Sequence, residues 1–381
     1  MRKPPLNGIR VLDLTRLLPG ALCTQHLADM GADVIKIEDT GQGDYARDQR
    51  SYFNLVNRNK RSVRINLKHD SGRSIFLKLV ETADVLLEGF RPGVVHRLGI
   101  DYESISQINA GIVYCSLSGY GQDGPYRLKA GHDLNYCSAT GITEQAGEAG
   151  GPPVIPNIQI ADLLGGTLSS AMGILAALLD AQRSGRGRFV DVAMADCTLA
   201  HNIMPMMDYN ETGNPGLRGR SLLSGGLPWY SIYETSDREY LALGALEPKF
   251  WQAFCEHAEH PEWMSKQSAG EEELETIRNQ LQAMFSSETR QFWVDRFRDV
   301  DCCLSPVAAL DEVIGHEQFQ ARRMVINRHG YLEYAFPLKF SDFEFEVYRE
   351  PPGHGEHTQE VMTELGYSRA EMGAAKATGA I

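Results

Sequence analysis

Basic residues are in deficit in this chain: 37 Lys and Arg stand against 50 Asp and Glu over 381 residues, a formal net charge of -13. Nucleic acid is therefore excluded as an expected partner, because affinity for a phosphodiester backbone comes from many cationic side chains that displace counterions. The 7 cysteines (Cys23, Cys115, Cys137, Cys197, Cys255, Cys302, Cys303) are odd in number and never spaced CxxC, so they read as reduced thiols of a core. The 11 histidines contain no HExxH or other close ligand spacing, and no metal is expected. No uninterrupted apolar run approaches the roughly 20 residues of a membrane span. Met1 to Pro5 leads into a strand-like segment without a signal-peptide core, which points to a cytoplasmic protein with no membrane partner. A GxGxxG after the first strand is missing too, so no dinucleotide cofactor is implied.

What is present begins as alternating strands and helices. Ile9 to Leu14 and Val34 to Glu38 are short apolar strands, and Leu17-Leu18-Pro19-Gly20 opens a helical pattern between them. That is a βαβ unit, whose crossover is right-handed and whose sheet is parallel. The fold class is therefore α/β with a Rossmann-like layer. Asp84 to Glu88, Ile112 to Leu117 and Phe189 to Val192 are further strands, with a long apolar helix running from Gly166 to Leu179. Residues 210–224 are rich in Gly, Arg and Asn and read as a linker. Beyond them come a hairpin around Ser236-Asp237, amphipathic helices over 250–300, a return strand at 301–307 and a helix over 311–323. An antiparallel pair is expected over 331–350, and Thr358 as the cap of a last helix ending at Leu365.

Three groups of residues carry chemistry. The densest basic cluster is Arg58, Lys60, Arg61, Arg64, Lys68 and Arg73, which in an acidic chain suits a polyanionic small ligand or else a solvated face. Arg91 and Phe90 follow a strand at its carboxyl end, where open α/β sheets bind ligands, and suit a phosphate and a purine; Phe90 reads equally as core. Glu38, at another strand end, is a candidate for a ribose hydroxyl or a plain strand-end carboxylate. The third group frames the stretch from Gly131 to Gly166. His132 and Asp133 open it, Asp162 and Gly165-Gly166 close it, and the Gly/Pro-rich passage 146–156 lies between. A histidine and a carboxylate on separate segments can face each other and move protons.

These motifs resemble those of the class III CoA transferases, and within them the α-methylacyl-CoA racemases. The resemblance runs through residues 8–14, residues 27–38, Asn59-Lys60-Arg61-Ser62, Gly119-Tyr120-Gly121, Gly131-His132-Asp133, Ala161-Asp162 and Gly355-Glu356-His357-Thr358. It implies a large Rossmann-like domain (1–209 plus 324–381), an inserted small α+β domain (225–323) and two chains interlocked as a homodimer. It also implies an acyl-CoA substrate, with coenzyme A as part of that substrate rather than a separate cofactor. Racemases pair the aspartate matching Asp162 with the histidine matching His132, and carry a glutamate matching Glu247 in Gly244-Ala245-Leu246-Glu247-Pro248. Transferases use the same aspartate as a nucleophile on the thioester. One departure is visible: the Asn that racemases often place four residues before the aspartate is Ile158 here, with Asn157 one step earlier.

Inverting a carbon beside a thioester needs one base on each face, and His132 with Asp162 suits that task. The backbone N–H groups of Gly165 and Gly166 are candidate donors to the enolate oxygen. Asp133 and Glu247 are expected to orient the histidine, and Arg58, Lys60, Arg61 and Arg91 to bind the CoA phosphates with Phe90 beside them. The expected activity is racemisation of 2-methyl-branched acyl-CoA thioesters by 1,1-proton transfer; the alternative is CoA transfer to a free carboxylic acid through an aspartyl intermediate on Asp162.

Overall fold

The computed structural model describes residues 3–381 and divides into two compact units. The first is made of residues up to 140, 157–201 and 322–381; the second of 141–156 and 202–321. In the first unit, six short segments, apolar except for the basic third, become β1 (Arg10–Leu14), β2 (Asp33–Glu38), β3 (Lys60–Arg64), β4 (Val85–Glu88), β5 (Val113–Ser118) and β6 (Phe189–Ala193). They form one sheet in the order β3-β2-β1-β4-β5-β6, with every pairing parallel. Helices cover both faces, which is why the central strands are buried with hardly any polar alternation. Strand order reverses between β1 and β4, so the crevice outside their carboxyl ends is the expected ligand position. The segments that follow these two strands are Thr15 to Leu18 and Gly89 to Arg91.

The turn after β1 lacks a glycine fingerprint and is shaped by other means. Leu17 sits at φ 62, a conformation costly for a side chain with a Cβ, and its N–H is held by the Asp44 carboxylate at 3.1 Å. Gly20 allows the helix Leu18–Asp29 to close on that turn, since a Cβ there would lie 2.4 Å from Thr15. The long apolar pattern after Asp162 is one continuous helix of 24 residues, from Ala161 to Ser184, long and apolar enough by composition to cross a bilayer. Its first part, Ala161–Leu168, has the wide i→i+5 pitch of a π-helix, a feature frequent at functional sites. It packs against the helices Leu18–Asp29 and Met194–Leu199.

The second unit holds β7 (Tyr230–Glu234), β8 (Tyr240–Gly244) and β9 (Leu304–Pro306) in an antiparallel sheet. Helices Pro248–His257, Glu271–Phe285 and Arg290–Arg296 pack with it around Trp229, Trp251, Trp263 and Trp293, all buried.

Several boundaries differ from the sequence reading. Residues 210–224 are not where the units part, because the helix Ile203–Thr212 already groups with the second unit. The Gly/Pro-rich passage joins it as well: Arg218 donates to the Glu144 carbonyl and carboxylate, each at 2.7 Å, and to the Gly151 carbonyl. The antiparallel pair expected over 331–350 is instead β10 (Val325–Arg328) with β11 (Tyr331–Tyr334), turned by His329 and Gly330 at positive φ. Residues 346–349 are held by the Asn59 side chain, which bonds Glu346, Tyr348 and Arg349 along the backbone. The helix expected over 311–323 breaks at His316 into Leu310–Gly315 and Glu317–Ala321. Thr358 begins the helix Thr358–Glu364 rather than capping it, and its hydroxyl donates to the Gly355 carbonyl at 2.7 Å.

Candidate active site

Asp162 and His132, 30 positions apart in sequence, come together in the first unit. The link between their segments is Asp133. One oxygen of its carboxylate accepts the N–H groups of Ala161 at 2.7 Å and Asp162 at 3.1 Å, and the other accepts the Cys137 thiol at 3.7 Å. Asp133 thus clamps the start of the helix that carries Asp162. This differs from the expected role of orienting His132, because its carboxylate is spent on the helix end, where unpaired N–H groups need an acceptor. His132 itself precedes the helix Asp133–Ala139, its backbone N–H held by the Asn135 side chain at 3.0 Å and its ring exposed.

A carboxylate in the first turn of a helix is usually stabilised in its ionised form. Asp162 goes the other way: burial, and then the negative Asp133, push it from 3.8 up to about 6, with His132 partly offsetting them. The Asp133 charge cancels the positive helix end that Asp162 would otherwise feel. The result is a carboxyl poised to lose and regain a proton near neutral pH.

Gly165 and Gly166 do not serve as expected. They lie inside the helix, beyond its first turn, where N–H groups are taken by the helix's own carbonyls. Their role is contact. A Cβ on Gly165 would lie 2.4 Å from the Thr198 hydroxyl and 2.5 Å from the Met194 carbonyl, and one on Gly166 2.7 Å from Pro19.

Two tyrosines that the sequence reading left out border Asp162. Tyr136 donates its hydroxyl to the Gly131 carbonyl at 2.7 Å; burial and the Asp162 charge push its phenol up to about 12, while Arg91 works against them. Gly119 and Gly131 lie so close to its ring that neither position admits a Cβ. Tyr52, half-buried, is likewise pushed up by burial and by Asp162. Tyr136 lies on the helix that begins just after His132, four positions beyond it in the chain.

Arg91 lies exposed just past the carboxyl end of β4, without an ion pair among the described residues, and acts on Tyr136. Phe90 beside it packs partly against the core. The other expected phosphate ligands are elsewhere. Arg58, Lys60 and Arg61 are 2%, 0% and 5% exposed, too buried to meet a solvent-borne phosphate. Arg58 pairs with Asp29 at 2.7 Å and Glu333 at 2.9 Å; Arg61 pairs with Asp33, Glu360 and Glu364. Lys60 donates to the Ala21 carbonyl, Asn57 and Asp13, and burial drives it down to about 8. Glu38 is buried as well and bonded to Arg47 and Ser62, a structural carboxylate rather than a ribose ligand. Glu247 belongs to the second unit, exposed at the start of the helix Pro248–His257. Among the described residues no cluster of His, Cys, Asp and Glu has the geometry of a metal site.

The fold is a parallel α/β sheet with a titratable carboxyl at the head of its longest helix. Residues 6–358 match the model of CoA-transferase family III, and the chain belongs to that family. It is 32% identical to the alpha-methylacyl-CoA racemase of Homo sapiens over 374 residues, 96% of this chain and 95% of that one. It is 33% identical to the acetyl-CoA:oxalate CoA-transferase of Acetobacter aceti over 355 residues, 90% of each. Among solved structures, a CAIB/BAIF family protein from Brucella suis superposes with a TM-score of 0.83 at 28% identity, over 96% of this chain and all of that one.

Proposed function

We propose that the protein is a racemase or epimerase of 2-methyl-branched acyl-CoA thioesters. The observation that carries this reading is the Asp162 carboxyl, held at about 6 beside His132. Deprotonated Asp162 removes the α-proton from one face of the thioester, the electrons pass into the enolate, and protonated His132 returns a proton to the other face. The reverse direction exchanges the two roles. Each positioned acid or base is worth about 10²–10⁴ in rate. Glu247 enters this reading only through its motif. Arg91, with Phe90 next to it, is the cation left for the CoA anion.

Self-association belongs to the same proposal. Leu168, Met172 and Leu179 are 53%, 67% and 51% exposed along one helix of the first unit. Leu199, on another helix of that unit, is exposed as well. In the second unit Ile203, Met206 and Tyr209 form an exposed stripe at helical spacing. Stripes of this kind fit an interlocked homodimer, and a compact monomer in sedimentation at low concentration overturns that part.

The experiment that tests the chemistry is incubation with a 2-methylacyl-CoA in heavy water. The expected result is deuterium at the α-carbon without any added acid. The second reading, CoA transfer, is favoured by the transferase relative at 33% identity and by the fitness of Asp162 as a nucleophile. It takes over if α-exchange is absent, turnover needs a free carboxylic acid, and hydroxylamine traps an Asp162 adduct.

A further inference from the structure

Glu88 is the last residue of β4 and one of the most buried carboxyls of the chain, 1% exposed, at the point where strand order reverses. The chemistry described above makes no use of it. One oxygen accepts the N–H of Phe90 at 2.7 Å; the other accepts the hydroxyl of Ser116, its neighbour across the β4–β5 pairing. Phe90 immediately precedes Arg91, which in turn acts on Tyr136 beside Asp162. A single buried carboxyl therefore fixes the backbone of the turn that presents the exposed cation of the crevice.

We propose that Glu88 is a positioning residue for ligand binding, its charge setting the Phe90–Arg91 turn that receives the anionic part of coenzyme A. This rests on the acyl-CoA reading and extends it to how affinity is set. An ionised carboxylate accepts two donors at once and forms strong, charge-assisted bonds. When it is protonated, its own O–H must find an acceptor, so Ser116 turns from donor to acceptor and the Phe90 N–H keeps only a neutral partner. The turn is then held less firmly. The surroundings place this change near neutrality: burial, and to a smaller degree Asp191 on β6, push Glu88 up to about 7 against the pull of Ser116 and the Phe90 N–H. The other titratable groups that feel it are the Tyr114 phenol and the Cys115 thiol on β5, both uncharged and pushed further up. No cation is among the groups that act on its carboxyl. Glu88 is thus anionic above about pH 7 and neutral below it.

The experiment is calorimetric titration of the full-length protein with coenzyme A at pH 6, 7 and 8, for wild type, Glu88→Gln, Arg91→Met and the double variant. Comparing wild type with Glu88→Gln at each pH cancels the titration of the ligand's own phosphates. At pH 8 Glu88→Gln is expected to bind about tenfold more weakly, the difference between a charged and a neutral acceptor. At pH 6 the two converge. In the Arg91→Met background Glu88→Gln adds nothing, because its effect passes through Arg91. Ser116→Ala, which leaves the carboxyl in place but removes a bond favouring its ionised form, is expected to lose affinity at a higher pH than wild type does, and this comparison carries the test if Glu88→Gln fails to fold. Equal affinities at pH 8, a ratio that does not change with pH, or additive effects in the double variant overturn the proposal. Failure of the unmutated protein to bind coenzyme A at any pH is a separate outcome: it removes the acyl-CoA reading itself, and this inference with it.

Discussion

The β3 edge of the sheet and the end of β4 carry positive charge for opposite reasons. On β3 and just before it, Arg58, Lys60 and Arg61 are buried, and each has carboxylate partners. At the end of β4, Arg91 is exposed and has none among the described residues. The dense cluster serves stability, while the isolated arginine stays open to solvent. Density of charge in sequence is therefore a poor guide to ligand contact; what matters is whether the fold supplies a counter-charge. The pair Asp133 and Asp162 teaches the same lesson for carboxylates. One is consumed by two backbone N–H groups, and the other is left poised to titrate.

The largest expected effect separates chemistry from scaffold. Asp162→Asn should lower α-proton exchange by about 10²–10⁴-fold for the 2-methylacyl-CoA enantiomer whose hydrogen faces Asp162, measured by deuterium uptake, while leaving coenzyme A affinity in place. Its stability should move the opposite way. The carboxyl sits at about 6 in the folded chain against 3.8, the ordinary value expected of an unfolded one, so the folded state binds the proton more tightly between those values. Folding is thus penalised above about pH 6 and not below about pH 4. Thermal unfolding should show the variant more stable than wild type at pH 8 and equal to it at pH 4. Equal melting temperatures at both pH values break the contrast between a strained chemical carboxylate and a structural one.

Arg58→Met tests the buried cluster. It leaves Asp29 and Glu333 without their cation, and removing one partner of a buried pair costs about 3–5 kcal/mol. Denaturant unfolding should show that loss, with coenzyme A affinity per folded molecule unchanged. A variant of wild-type stability that binds coenzyme A poorly would return Arg58 to the ligand site.

Arg91→Met is the mirror experiment. An exposed, unpaired charge contributes little to folding, so the melting temperature should hold while coenzyme A binding weakens about tenfold, the scale of one charge-assisted contact.

The smallest effect belongs to Asp133→Asn. Its amide oxygen can still accept the N–H groups of Ala161 and Asp162, but the charge that raises Asp162 is gone. The pH at which exchange by Asp162 switches on, near 6 in wild type, should shift downward in a pH–rate profile. An unshifted profile would mean that burial alone holds Asp162 where it is.

Much of this molecule was legible in its residues. The apolar segments that became β1, β2, β4, β5 and β6 stand between helical patterns, because strand and helix periodicities are local. His132 and Asp162 were legible through short motifs, and Arg91 through its place after a strand. The roles of Asp133, Glu88, Gly165 and Gly166 were not. Each depends on an atom far along the chain: Asp133 on N–H groups 28 and 29 positions away, Glu88 on Ser116, the glycines on Met194 and Pro19.

Charge makes the division sharpest. Composition was enough to raise an expectation about partners, and periodicity to point to a parallel α/β layer, since both are sums over neighbouring residues. Whether a given arginine meets solvent or a carboxylate is not such a sum. Arg58 finds Glu333 across 275 positions and Arg61 finds Glu364 across 303, and only the folded chain brings those partners within hydrogen-bonding distance. Burial and pairing decide the energy of a charge, and both are properties of contacts that the order of residues does not display.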